Sequence, residues 1–99
     1  MDKKLATHAA DVLKAIAHPM RLQIVEALEG SEMCVGDIAD ALGEKQAITS
    51  QQLNIMKDKG ILTSRREGAK IFYRIEDPNV VRVLACVYNH CEPRKRGRR

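Results

Sequence analysis

The chain has 99 residues and a mass of 11.1 kDa, enough for one domain and one core. Hydrophobic residues make up 44% and charged residues 30%, with 3 Pro and 6 Gly, a balance that belongs to a globular protein rather than a disordered one. Its apolar runs are too short for a membrane-spanning helix, and the opening MDKKLATHAADVLK lacks the apolar stretch and cleavage site of a signal peptide. Three cysteines make an odd count and no disulfide framework, which fits a reducing cytoplasm.

Leu5, Ala9, Val12, Leu13 and Ile16 recur at helical spacing and predict an amphipathic helix over 3–16. His18-Pro19 interrupts it, and proline suits the first position of a second helix, lined by Leu22, Val25 and Leu28 and stopped by Gly30. A short third helix is predicted from Val35 to Leu42, with Ile38, Ala39 and Leu42 inward and Gly43 as its stop. The fourth covers about Gln46–Lys59, with Ile48, Leu53 and Met56 as core contacts and Gly60 as its stop. ILTSRRE and KIFYRIE are β-prone runs with Gly68-Ala69 between them, which predicts a hairpin. Asp77-Pro78 then opens a last helix, about Pro78–His90, with Val80, Val83, Leu84 and Val87 apolar and Pro93 beyond its end.

The expected order is α-α-α-α-β-β-α, mainly helical with a β-hairpin wing. Only Gly43, Glu44 and Lys45 separate helices three and four, the short Gly-containing connection of a helix-turn-helix, and a hairpin directly after such a pair is a wing. Residues 1–91 form the expected winged helix-turn-helix domain, and residues 92–99, EPRKRGRR, a basic flexible tail. The first and last helices carry more apolar surface than one small core needs. Val12, Ile16, Val83, Val87 and Tyr88 are therefore expected to pack against a twin chain, giving a homodimer through the terminal helices.

The formal charge is +4, unevenly spread. Residues 1–44 carry 4 basic and 8 acidic side chains, residues 45–74 carry 7 and 2, and the last eight carry 5 and 1. A basic middle third on an acidic body can steer toward phosphate, although uneven charge is also ordinary for a solvated surface. The fourth helix opens Lys45-Gln46-Ala47-Ile48-Thr49-Ser50-Gln51-Gln52. Short hydroxyls and amides are what major-groove reading requires: Gln bonds adenine bidentately, and Ser or Thr serves as donor or acceptor. Lys45, Gln46, Ala47, Thr49, Ser50 and Gln51 are the candidate contacts there, with Arg65, Arg66 and Lys70 on the wing and Arg74 behind them. Solubility alone would also account for cations on an exposed hairpin.

With these pieces in place the chain resembles the ArsR/SmtB winged-helix repressors over about residues 10–91. The resemblance rests on Leu13-Lys14-Ala15-Ile16-Ala17-His18-Pro19-Met20-Arg21-Leu22-Gln23-Ile24, Cys34-Val35-Gly36-Asp37-Ile38-Ala39, the run from Ile48 through Leu62, and the wing from Arg65 to Ile75. It implies a dimeric repressor that binds an inverted repeat and releases it when an inducer binds. Lys45 and Ala47 depart from the family, which often has Ser on either side of a Gln; Gln46 keeps the middle position.

The thiols carry the question of an inducer. Cys34 stands at the N-cap of the third helix, a place favourable to a thiolate, with Asp37 acting against it. In the arsenic- and cadmium-sensing members the motif here reads Cys-Val-Cys-Asp; this chain has Cys34-Val35-Gly36-Asp37, without the second thiol. Cys86 and Cys91 are five apart on the last helix, rotated by about 140°, and so do not share a face. Thiol-based members place a cysteine similarly near this end, with a partner in the second helix, where Gln23–Ala27 has none. Cys34, Cys86 and Cys91 are thus candidate sensing thiols and candidate metal ligands. The other reading makes Cys34 a small cap, Cys86 a buried apolar residue and Cys91 a bystander. The family's zinc site on the last helix keeps only two of its four ligands among Asp77, Asn79 and His90, with Pro93 in the last position, and is disfavoured. His8 and His18 read as a surface and a turn residue.

The expected function is a DNA-binding repressor derepressed through its thiols by As(III), another thiophilic metal ion, reactive sulfur or a redox signal. The alternative is a constitutive DNA-binding regulator with structural cysteines. An enzyme is not expected: a Cys-His dyad would rest on Cys86 and His90 of one helix, with no Gly-rich oxyanion loop. Single-stranded RNA binding is disfavoured because Phe72, Tyr73 and Tyr88 are the only aromatics.

Overall fold

A computed structural model describes residues 1–90. Its elements are α1 (Lys3–Ile16), α2 (Pro19–Leu28), β1 (Met33–Cys34), α3 (Val35–Leu42), α4 (Gln46–Asp58), β2 (Leu62–Glu67), β3 (Lys70–Ile75) and α5 (Asn79–His90). The helices and the hairpin stand where the periodicity places them. The expected order lacked β1, two residues that pair antiparallel with β3 through Met33↔Tyr73 and Cys34↔Phe72. The wing is therefore the outer part of a three-stranded sheet of order β1-β3-β2.

Local chemistry starts and stops these helices. Asp2 caps α1 by accepting from the Leu5 N–H at 2.7 Å. His18 is the cap of α2: its Nδ1 accepts from the Met20 N–H at 3.0 Å, and Pro19 fills the first helical position. α3 ends on Gly43 at φ +68°, a left-handed conformation that turns the chain sharply into α4. The Glu44 N–H reaches back to the Ala39 carbonyl at 3.0 Å and closes that turn.

One core holds the elements together. Ile24, Leu28, Ile38, Leu53, Met56, Ile61 and Val80 are fully buried, drawn from α2, α3, α4, α5 and the chain entering β2. α1 contributes little to it beyond Ala15 and Ile16. Ile16 is thus spent on its own chain and is not free for a twin, contrary to expectation. Leu5 and Leu13 are 53% and 52% exposed, and Val87 and Tyr88 are exposed on α5.

Ile48 also departs from expectation: it is 43% exposed rather than a core contact. The inward row of α4 is Thr49, Leu53 and Met56, at i, i+4 and i+7. One position earlier, Ile48 is rotated about 100° away from that row.

Candidate nucleic-acid interface

α4 presents its first turns to solvent. Lys45 is the N-cap, without a side-chain cap bond, and Gln46, Ala47 and Gln51 are exposed, with Ser50 half-buried beside them. Thr49 does not join them. It is 0% exposed, and its hydroxyl donates to the Lys45 carbonyl at 2.9 Å, so it is removed from the candidate base contacts. The expectation treated a polar residue as outward; the hydroxyl instead satisfies itself on its own helix and lets the methyl pack inward.

The outward row of α4 extends beyond Gln51. Ala47, Gln51 and Asn54 follow at i, i+4 and i+7, and all three are exposed. The Tyr73 hydroxyl donates to Asn54 Oδ1 at 3.5 Å, tying this face to β3. Burial raises the pKa of Tyr73. Gln52, outside the expected base contacts, has a structural partner. Its Oε1 accepts from Arg21 Nε at 2.9 Å, which anchors α4 to the start of α2. The helical spacing from Ala47 was the signal for Asn54; nothing local signals the Arg21–Gln52 pair.

The α3 side of the helix pair comes close to the same end of α4. A Cβ placed on Gly36 would stand 3.5 Å from Gln46 Nε2. The segment carrying Cys34 therefore abuts the first residue of α4.

On the wing, Gly68 adopts φ +64° at the tip, and Glu67 and Lys70 oppose each other beside it. Arg65, Arg66, Lys70 and Arg74 are all exposed. Strand alternation divides the two neighbouring arginines. Arg66 opposes Ile71 and shares a face with Ser64 and Tyr73, the face turned toward Asn54 of α4. Arg65 opposes Phe72 on the other face. There its Nη2 and Nε donate to the two carboxylate oxygens of Glu32 at 2.8 and 2.9 Å, and Nη1 donates to Glu67 at 3.2 Å. Its guanidinium carbon lies 4.8 Å from the centre of the Phe72 ring. These bonds hold the Glu32 carboxyl below its ordinary range and push Arg65 further up.

Cys34 is half-buried, and its sulfur donates to Asp37 Oδ2 at 3.4 Å rather than capping α3. Cys86 is exposed on α5, so its reading as a buried apolar residue does not hold. Both are free thiols. Cys91 and the basic tail lie outside the described residues. Among the described residues no group of three or more His, Cys, Asp or Glu could hold a metal ion, and no helix is long and apolar enough to cross a membrane.

The family described as bacterial regulatory protein, arsR family, matches residues 18–64, from the α2 cap into β2. The biofilm growth-associated repressor of Agrobacterium fabrum is 37% identical over 86 residues, covering 87% of this chain and 74% of that protein. The antimony-specific transcriptional repressor AntR superposes with a TM-score of 0.83 at 35% identity, over 89% of this chain and 80% of that one. A homodimeric winged helix-turn-helix DNA-binding domain from Mycobacterium bovis, a possible ArsR-family transcriptional regulator, gives 0.74 at 37% identity, over 90% and 84%.

Proposed function

Since the chain belongs to the ArsR family of bacterial regulatory proteins, we propose that it is a cytoplasmic transcriptional repressor that binds an inverted-repeat operator as a homodimer. The observation that carries the reading is the exposed face of α4. Gln46, Ser50 and Gln51 offer amides and a hydroxyl to base edges, with the Ala47 methyl between them, while Arg66 and Lys70 lie on the adjoining wing for phosphate or the minor groove. Lys45, at the helix N-cap, adds a cation next to the backbone.

Dimerisation through α1 and α5 is supported by the apolar surface those helices leave uncovered: Leu5, Leu13, Val87 and Tyr88, with Val12 and Val83 half-buried beside them. Two copies would place two α4 helices on one side of a duplex at matching phases of the groove.

Derepression acts through the thiols in this reading. Cys34 adjoins Gln46 through Gly36, and Cys86, with Cys91 beyond it, sits on a helix assigned to the dimer. A thiophilic metal ion or metalloid such as As(III), or an oxidant or persulfide, joining Cys34 to an α5 thiol would alter the angle between the two α4 helices. A coupling of about 1–3 kcal/mol is enough to release DNA substantially. The relative that is antimony-specific fits a thiophilic inducer.

A second reading, a constitutive regulator with structural cysteines, is favoured by Asp37 against Cys34 and by glycine at position 36, where a second thiol would stand.

The test is operator affinity, on a duplex enriched from a random library, before and after arsenite and separately after persulfide. The proposal expects loss of affinity with one reagent and its abolition by Cys34→Ser or by Cys86→Ser with Cys91→Ser. Affinity that is unchanged throughout selects the constitutive reading, and failure to enrich any duplex removes DNA binding itself.

A further inference from the structure

Arg65 and Arg66 are neighbours of the same type on the same wing, and the structure gives them different surroundings. We propose that Arg65 is a positioning residue and not a phosphate contact: with Glu32 it pins the wing to the chain that enters the helix pair, so that wing and α4 meet DNA as one body. The inference rests on the DNA-binding reading above and goes beyond it by separating wing cations that touch DNA from the one that holds the wing in place.

Four observations converge. First, the contact is bidentate, with both carboxylate oxygens of Glu32 engaged at 2.8 and 2.9 Å, the geometry that suits a planar guanidinium and leaves it least free. Second, Glu67 takes a third N–H at 3.2 Å, so two carboxylates face one guanidinium. Its N–H donors are thus engaged by two carboxylates, so the guanidinium is not a free cation for a DNA phosphate. Third, the ring of Phe72 lies against the guanidinium, fixing its plane. Fourth, Arg65 lies on the sheet face opposite to Tyr73 and Arg66, away from the side on which Tyr73 meets α4; Lys70 shares the Arg65 face but stands at the hairpin tip, opposite Glu67 and outside the bidentate Glu32 contact.

The clamp also spans the whole sheet. Cys34 of β1, Phe72 of β3 and Arg65 of β2 stand in one cross-strand row, and Glu32 lies two residues before Cys34 on the same side. β1 has only two paired residues, so the Glu32–Arg65 bridge adds a side-chain tie from the chain before β1 to the far strand, where backbone pairing is short. Two-stranded hairpins are marginal by themselves; tying β2 to the chain before β1 stiffens the wing.

The test uses Glu32→Gln, Arg65→Gln, their double variant, Arg66→Gln and Lys70→Gln in the full chain, with two readouts. In the free protein, hydrogen exchange of the β1 and β2 amides should quicken in Glu32→Gln and Arg65→Gln and stay unchanged in Arg66→Gln. Against the duplex enriched from a random library, Glu32→Gln and Arg65→Gln should each weaken binding by up to about fivefold. The double variant should lose no more than either single change. Neither should change the slope of log K against log salt, whereas Arg66→Gln and Lys70→Gln should each flatten it by about 0.9. The proposal is overturned if Arg65→Gln flattens that slope as Arg66→Gln does, or if Glu32→Gln tightens binding by freeing the guanidinium for phosphate. Should the wild-type chain enrich no duplex, the DNA-binding reading falls, and exchange still decides the clamp: faster exchange upholds it, unchanged exchange overturns it.

Discussion

Arg21 and Gln52 are 31 positions apart in the chain, and the guanidinium Nε of the first donates to the side-chain oxygen of the second at 2.9 Å. The same guanidinium donates through Nη1 to the Ala15 carbonyl at 3.4 Å. One partly buried side chain thus gathers the last turn of α1, the first turn of α2 and the middle of α4. Arg21→Ala should lower stability by about 1–2 kcal/mol, because it leaves two acceptors without their donor. Arg21→Lys should recover little of this, since one ammonium cannot reproduce the planar spread of donors. Urea unfolding at a fixed protein concentration measures both.

Thr49 and Gln51 separate folding from recognition on a single helix. Thr49→Val removes a buried hydroxyl bonded to the Lys45 carbonyl and should cost about 1 kcal/mol of stability, with the preferred operator sequence unchanged. Gln51→Ala, at an exposed position, should leave stability within about 0.5 kcal/mol and lower discrimination at one base pair by about 1–3 kcal/mol. Duplex selection with each variant reads the difference. A changed operator preference for Thr49→Val would return that residue to the interface.

Gly36 stands where a second thiol would complete a Cys-x-Cys pair with Cys34. The Cβ of a new side chain would lie 3.5 Å from Gln46 Nε2, an ordinary contact distance, and the backbone there is free of left-handed strain. Gly36→Cys should therefore fold normally. It should bind arsenite about tenfold more tightly than the parent chain, because the second sulfur is already held near the first. Titration followed by thiol absorbance, with Gly36→Ser as control, checks this. Equal affinity in the two would place Cys34 outside any ligand set that position 36 can join.

Two carboxylate bonds give the chain opposite pH dependences. The Glu32 carboxyl is held below its ordinary 4.5 by Arg65, so the clamp's contribution is complete above that pH and is lost as pH falls through the lower folded-state value. The Tyr88 hydroxyl donates to Glu26, and its pKa is pushed up to about 12 from 10.0. Its contribution is complete below pH 10 and is lost as pH rises through about 12. The stability difference between the parent and Glu32→Gln should therefore shrink on acidification, and that between the parent and Tyr88→Phe should shrink in alkali. Denaturation series across both ranges supply the comparison.

The helix-turn-helix and the wing could be read from the chain because their signals are local. Gly43 breaks the helical pattern where a left-handed residue is needed, Gly68 does so at the wing tip, and the runs around it alternate as strands do. The face bearing Gln46, Ala47 and Gln51 was legible for the same reason: helical geometry places those positions together whatever surrounds them. Ile48 and Thr49 were misjudged because hydrophobicity favours the isoleucine for the core. The phase of α4 is set elsewhere, by Leu53 and Met56 packing against the other helices.

β1, the Arg21–Gln52 bond and the unlike fates of Arg65 and Arg66 came from the folded chain. Two residues carry no periodicity, so β1 exists only because Phe72 and Tyr73 arrive to pair with it. Arg65 and Arg66 are the same amino acid one position apart; pleating sends one toward Glu32 and the other toward the α4 side of the sheet. Backbone preferences and short-range periodicity act within a few residues and are written in composition and spacing. Which charged groups find each other is settled by packing between segments distant in the chain, and no local pattern encodes that distance.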